Sequence, residues 1–219
     1  DTAVLKQELF IGNVRTGMFK KVDVVKWQGQ LLEVLRVPDV HDRAFFIRKK
    51  GTRDEFELCS VDAKTGEVKV ILHEVSKPYL NEELFSCRVL NGGEDILLWS
   101  DRSGWGHYYH YDGNGKLLNA VTSGEWTAGR IMKIDTVKKQ IYLYGYGKEK
   151  GCNPNYTHMY RVGFNGRRLT LLTPGNATHS AFVHLGGGLI VDNFSRIDTV
   201  PQITVRDVNG RLLTILEKA

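Results

Sequence analysis

Apolar side chains in this chain come in short runs that alternate with polar punctuation, and from Leu31 onward the runs fall in fours. The first set is Leu31–Val37, Arg43–Lys49, Glu55–Asp62 and Glu67–His73. The second is Leu84–Leu90, Asp95–Ser100, His107–Asp112 and Lys116–Thr122. Arg130–Asp135, Gln140–Tyr146, Thr157–Phe164 and Arg168–Thr173 make a third. His179–Leu185, Leu189–Phe194, Gln202–Val208 and Arg211–Glu217 make a fourth. Each run is rich in β-branched and aromatic residues and is bounded by Gly, Asn, Asp or Pro, which is the pattern of a strand. Stretches such as Glu67-Val68-Lys69-Val70 alternate with period two, as a half-buried strand requires. No helical period is sustained; the best candidate, Asn81–Phe85, is barely one turn long.

A glycine turn marks the same place in every set. Thr16-Gly17 recurs as Thr65-Gly66, Asn114-Gly115, Asn165-Gly166 and Asn209-Gly210, at intervals of 49, 49, 51 and 44 residues. Repeats of that length belong to propeller blades or helical solenoids, and Asn-Gly hairpins decide for the former. The spacing predicts type I′ turns, in which both central residues take positive φ. The expected fold is all-β: four four-stranded antiparallel propeller blades at 30–77, 78–126, 127–175 and 176–219. Residues 1–29 form a partial blade, because Glu8–Val14 and Phe19–Val25 match only the outer hairpin. A chain that opens in mid-blade reads as a fragment of a larger propeller, one domain over 1–219.

Composition narrows the function classes. With 42% hydrophobic and 25% charged residues, the chain has the balance of an ordinary globular protein. No run approaches the roughly 20 apolar residues of a membrane-spanning helix, so no membrane insertion is expected. No charged-then-apolar leader follows Asp1, so a signal peptide is expected to be absent or removed. The net charge of +5 is interspersed rather than gathered into a stripe with stacking aromatics, which argues against nucleic acid. Cys59, Cys87 and Cys152 show no C-x-x-C spacing; an odd number argues against a complete disulfide framework, one pair being the alternative to the expected free, buried thiols. The seven histidines have no ligand-like spacing; His107 and His110 fall on opposite strand faces. Gly186-Gly187-Gly188 lacks the lysine and helix of a phosphate loop and reads as a hairpin turn. No cofactor or metal is implied.

The second set contains the most distinctive segment, Ser100-Asp101-Arg102-Ser103-Gly104-Trp105-Gly106-His107-Tyr108-Tyr109-His110-Tyr111-Asp112. Asp101 and Arg102 flank a tight turn, Gly104 supplies a conformation a β-carbon would forbid, and Trp105, His107 and Tyr109 fall at period two. The segment is therefore expected to build the blade, with Trp105 buried between sheets. It resembles a signature of the dipeptidyl peptidase IV family propeller, in the prolyl oligopeptidase clan. The resemblance continues through Thr122-Ser123-Gly124-Glu125-Trp126, Ile134-Asp135 with Ile141-Tyr142, and Tyr160-Arg161-Val162 with Leu171-Leu172-Thr173. It extends to His179-Ser180, Asp192-Asn193-Phe194-Ser195 and Leu216-Glu217, and so covers about Pro78 to Glu217.

The resemblance implies a non-catalytic propeller portion of a serine exopeptidase, gating and orienting short peptides for a hydrolase domain of the same parent protein. It also implies a periplasmic, cell-envelope or secreted location. No G-x-S-x-G nucleophile elbow occurs here, so no catalytic residue is assigned and the chain alone is not expected to be an enzyme. The family holds the substrate's amino group with paired glutamates; Glu82-Glu83 is the pair this sequence offers, although its neighbourhood departs from the family's. A free-standing protein-interaction propeller is the alternative. A carbohydrate-binding propeller using exposed Trp27, Trp105 or Trp126 is a third reading.

Overall fold

A computed structural model describes residues 6–218; the outermost parts of the expected domain, 1–5 and 219, lie outside the described residues. The first set of runs is preceded by a hairpin, β1 (Leu9–Asn13) and β2 (Met18–Val22). Four sheets follow: β3 (Leu31–Leu35), β4 (Arg43–Lys49), β5 (Glu55–Asp62) and β6 (Val68–Val75), then β7 (Cys87–Leu90), β8 (Asp95–Ser100), β9 (His107–Asp112) and β10 (Leu117–Ala120). The third is β11 (Thr127–Asp135), β12 (Gln140–Tyr146), β13 (Thr157–Gly163) and β14 (Thr170–Leu171), and the fourth β15 (Thr178–His184), β16 (Leu189–Arg196), β17 (Thr199–Asp207) and β18 (Leu212–Lys218). Within each sheet the strands lie side by side in chain order, as in a propeller blade. The only helical element among the described residues is a 3₁₀ turn at Asn91–Gly93. The all-β propeller architecture read from the sequence is what the chain adopts.

Strand limits differ from the expected runs for local reasons. β14 shrinks to two residues because Arg168 sits at φ 60°. At its other end the Thr173 hydroxyl, rather than a ladder carbonyl, takes the Met159 N–H at 2.8 Å. β7 starts at Cys87 rather than Leu84. Asn81 closes a turn ahead of it, its carbonyl accepting from Phe85 N–H at 2.8 Å and its side chain from Leu84 N–H at 3.2 Å.

The glycine turns are not type I′. Positive φ falls on Gly17, Gly66, Gly115, Gly166 and Gly210 but not on the Thr or Asn before them. An acceptor side chain at the head of the loop does the work expected of the second positive-φ residue. Asp112 takes the N–H groups of Asn114 and Lys116 at 2.9 and 3.0 Å. Asp207 takes those of Asn209 and Arg211, both at 2.9 Å, and Asp62 those of Lys64 and Thr65. With Asp112 N–H paired to the Lys116 carbonyl at 3.0 Å, the loop has three residues and ends in a left-handed glycine. Short polar side chains that bind backbone two residues on are what make such turns.

The chain divides into two compact units, one running up to Leu97 with Tyr111–Leu117, the other Leu98–His110 with the chain from Leu118 onward. In the first, Val22 and Val24 from the opening hairpin pack on Phe46, Cys59 and Val61 of β4 and β5. In the second, Tyr142, Met159 and Leu172 of the third sheet pack on Ala181, Val183 and Ile190 of the fourth. Turn glycines seat successive sheets against one another. A β-carbon on Gly115 would lie 2.0 Å from the Ile71 carbonyl oxygen, and one on Gly166 would lie 2.6 Å from that of Ala120. Each turn therefore presses its backbone on the outer strand of the sheet before it.

Candidate functional site

The distinctive segment is a loop, Ser100–Gly106, that hands the chain from β8 to β9. Asp101 accepts the Gly104 N–H at 2.8 Å, with Gly104 at φ 88°. The Arg102 guanidinium bonds the Ser100 hydroxyl at 3.1 Å and lies 4.4 Å from the Tyr109 ring centre, a cation–π contact. The Ser103 hydroxyl donates to the Trp105 carbonyl at 3.1 Å.

Trp105 is not buried; 43% of its surface is exposed. The alternation that would have turned it inward begins only at His107, where β9 starts. Trp99 takes the buried place, at 4% exposure, with its indole N–H on the Ala128 carbonyl at 2.7 Å. Trp126, put forward above as an exposed sugar platform, is also buried, its N–H on the Ser123 carbonyl at 2.7 Å. Trp27 is half-buried.

His107 and Tyr109 are buried, and the role of His107 is a latch. Its Nε2 faces the Gly124 carbonyl at 2.9 Å and its Nδ1 the Thr122 hydroxyl at 3.0 Å. A carbonyl only accepts, so Nε2 carries the proton and Nδ1 accepts from Thr122. Thr122 Oγ1 in turn accepts the Tyr108 N–H at 3.1 Å. Burial pushes the His107 pKa down, and the Gly124 bond only partly opposes it.

The third sheet copies the latch. His158 Nε2 bonds the Gly175 carbonyl at 2.8 Å and Thr173 Oγ1 accepts the Met159 N–H at 2.8 Å. His158, Thr173 and Gly175 each stand 51 residues after His107, Thr122 and Gly124, the same interval that separates Gly115 from Gly166. That fixed offset is the signal the sequence carries for these residues.

Two buried charge clusters were also missed. His179 Nδ1 lies 3.0 Å from both carboxylate oxygens of Asp192, and Arg206 Nε lies 3.5 Å from one of them. This resembles the base-and-orienter half of a catalytic triad, but His179 Nε2 is buried without a hydrogen-bond partner, so no nucleophile meets it. In the first unit Glu57 is 3% exposed and bonded to Lys26 and, at 2.7 Å, to Arg48. Burial disfavours its charge, yet hydrogen bonds from Lys26 and Arg48 hold the carboxyl below its usual range. Among the described residues no three His, Cys, Asp or Glu side chains converge to hold a metal ion.

Glu82 and Glu83 are both exposed, in the loop ahead of β7. Glu82 pairs with Arg53 at 2.5 Å, so one of the two carboxylates already faces a cation of this chain. The three cysteines are free, Cys59 and Cys87 buried and Cys152 half-buried. Among the described residues no helix is long and apolar enough to cross a membrane.

A run of four-stranded antiparallel sheets, each in chain order and seated through turn glycines, defines a β-propeller. Residues 9–201 match the family model of the dipeptidyl peptidase IV (DPP IV) N-terminal region, and the chain belongs to that family. It is 30% identical over 143 residues to dipeptidyl peptidase 4 of Trichophyton rubrum, covering 64% of this chain and 18% of that protein. It is 29% identical over 164 residues to dipeptidyl peptidase 4 of Arthroderma otae, covering 73% and 21%. The chain thus spans about a fifth of the length of these relatives. The crystal structure of Porphyromonas gingivalis dipeptidyl peptidase 4 superposes with a TM-score of 0.80 at 21% identity, over 96% of this chain and 29% of that one. At that identity the likeness speaks for the fold.

Proposed function

We propose that this chain is the non-catalytic propeller portion of a dipeptidyl-peptidase-type serine exopeptidase, with blades at 30–77, 78–126, 127–175 and 176–219. The observation that carries the reading is the family match along 9–201, which runs through the first three sheets and into the fourth. In this role the propeller admits short peptides and excludes folded chains by steric means, and a hydrolase domain of the same parent protein supplies the nucleophile. The location is periplasmic, envelope-associated or secreted.

The test is hydrolysis of a Gly-Pro chromogenic dipeptide. The chain by itself should be inert, since acyl transfer needs nucleophile, base and oxyanion hole in one geometry. Joined to the hydrolase domain of its parent it should support cleavage of short substrates and reject long ones. Turnover by the chain alone, abolished by mutating Ser103, Ser123, Ser180 or Ser195, would overturn the assignment.

A further inference from the structure

The paired turns of the third sheet each carry two adjacent cations, which the corresponding turns of the first and fourth sheets lack. The β11–β12 turn carries Lys138-Lys139 and the β13–β14 turn carries Arg167-Arg168. A backbone hydrogen bond, Phe164 N–H to the Lys139 carbonyl at 2.8 Å, holds the two turns together. The same clamp joins Ala63 to Asp42 at 2.8 Å in the first sheet and Val208 to Gly188 at 3.2 Å in the fourth. The clamp is thus part of the repeated scaffold, whereas the doubled cations on both of its turns are particular to the third sheet; Lys64 and Arg211 stand singly in the first and fourth. The corresponding turn in the first sheet carries Asp39, His41 and Asp42, and in the fourth Gly186-Gly187-Gly188.

The four basic residues border a cavity of about 420 Å³, with buried His110 and the amide of Asn119 also in its lining and no carboxylate among the lining residues. Asp135, the acidic residue of the nearby turn, accepts the Lys138 backbone N–H at 2.9 Å. Lys139 and Arg168 hold their backbones at φ 48° and 60°, a conformation that costs energy outside glycine and collects at binding sites. Asn119 reaches across from β10 to the Phe164 carbonyl at 2.8 Å, fixing the wall. Like charges gathered in a concave site raise a positive potential there.

We propose that this cavity binds a dianion of the phosphate type, free or as the headgroup of a small phosphomonoester. Arg167 and Arg168 are suited to grip its oxygens bidentately while the lysines act as point charges. The volume exceeds that of a bare ion and falls among small-molecule sites, roughly 300–1,000 Å³. Half-exposed Leu118 offers a wall for an organic body. The inference stands on the cavity alone and does not depend on the peptidase reading.

The experiment is calorimetric titration of the full chain at low salt with inorganic phosphate and with ribose 5-phosphate. Saturable one-to-one binding is expected, at least tenfold weaker in the Arg167→Gln/Arg168→Gln and Lys138→Gln/Lys139→Gln variants. It should be little changed in a Lys20→Gln/Lys21→Gln control that removes equal charge elsewhere. Tighter binding of the ester identifies a phosphomonoester site, and equal binding a phosphate site. Absence of saturable heat with both, or equal loss in the control, overturns the proposal. If a variant fails to fold, arginine Nε–H resonances of the unaltered chain provide the readout. Two should shift on phosphate addition, and no shift would overturn it.

Discussion

Gly106 lies against the ring of Trp99 so closely that a β-carbon at position 106 would stand 2.2 Å from the indole. That contact decides which tryptophan of the segment is structural. Trp99 fills the interior because the chain opposite it has no side chain, whereas Trp105 lies before the start of β9 and stays exposed.

Gly106→Ala should therefore destabilise by about 1–3 kcal/mol, the usual cost of overpacking a filled interior. Urea midpoints compared at constant slope would measure it. An unchanged midpoint would mean that the ring and backbone separate easily.

The tryptophans should separate in the same assay. Trp99→Ala removes a buried ring and should cost about 3–5 kcal/mol, whereas exposed Trp105→Ala should stay within about 0.5 kcal/mol. A loss in Trp105→Ala as large as that in Trp99→Ala would place the Trp105 ring in the interior after all.

Acid should loosen the His107 latch. Its pKa is lowered in the folded chain, so the unfolded chain binds the extra proton more readily. The stability this contributes is present above the unfolded-state value of about 6.5 and is lost as pH falls from there through the folded pKa. Protonation would also convert Nδ1 into a donor and force Thr122 to reorient. The difference in urea midpoint between pH 7.5 and 5.5 should shrink in His107→Gln; an identical difference would remove His107 from the account.

Thiol reactivity should be graded. Burial pushes the Cys87 thiol up to about 12 and that of Cys59 up to about 11, and only the thiolate reacts. At pH 8 a disulfide reagent should label half-buried Cys152 first, with Cys59 and Cys87 released on unfolding. Fast labelling of all three in the native chain would contradict the core described here.

The beat of turn glycines was legible because a left-handed backbone has few tenants, and Gly17 through Gly210 all occupy it. The companion residues were misread because Asp62, Asp112 and Asp207, three or four positions earlier, supply the turn's hydrogen bonds, and dipeptide reasoning does not look back that far. Period two failed at Trp105, where the chain is still a loop and alternation has no meaning, and in β9 itself both faces are buried, from His107 through Tyr111. The His179–Asp192 pair joins β15 to β16, and the Arg48–Glu57 pair joins β4 to β5. Such partners are set by register, which the hydrophobic pattern alone does not reveal.

The seating of Gly115 on Ile71, and of Gly166 on Ala120, makes each joint a contact between a turn and its immediate predecessor. At these two joints the wiring behaves like masonry, one course resting on the course laid before it. A whole course inserted or removed meets faces already cut to fit, whereas a few residues added within one would misalign a single seam. Change in such an architecture is cheapest in whole multiples, and the sequence's near-fifty-residue metre is the trace that constraint leaves.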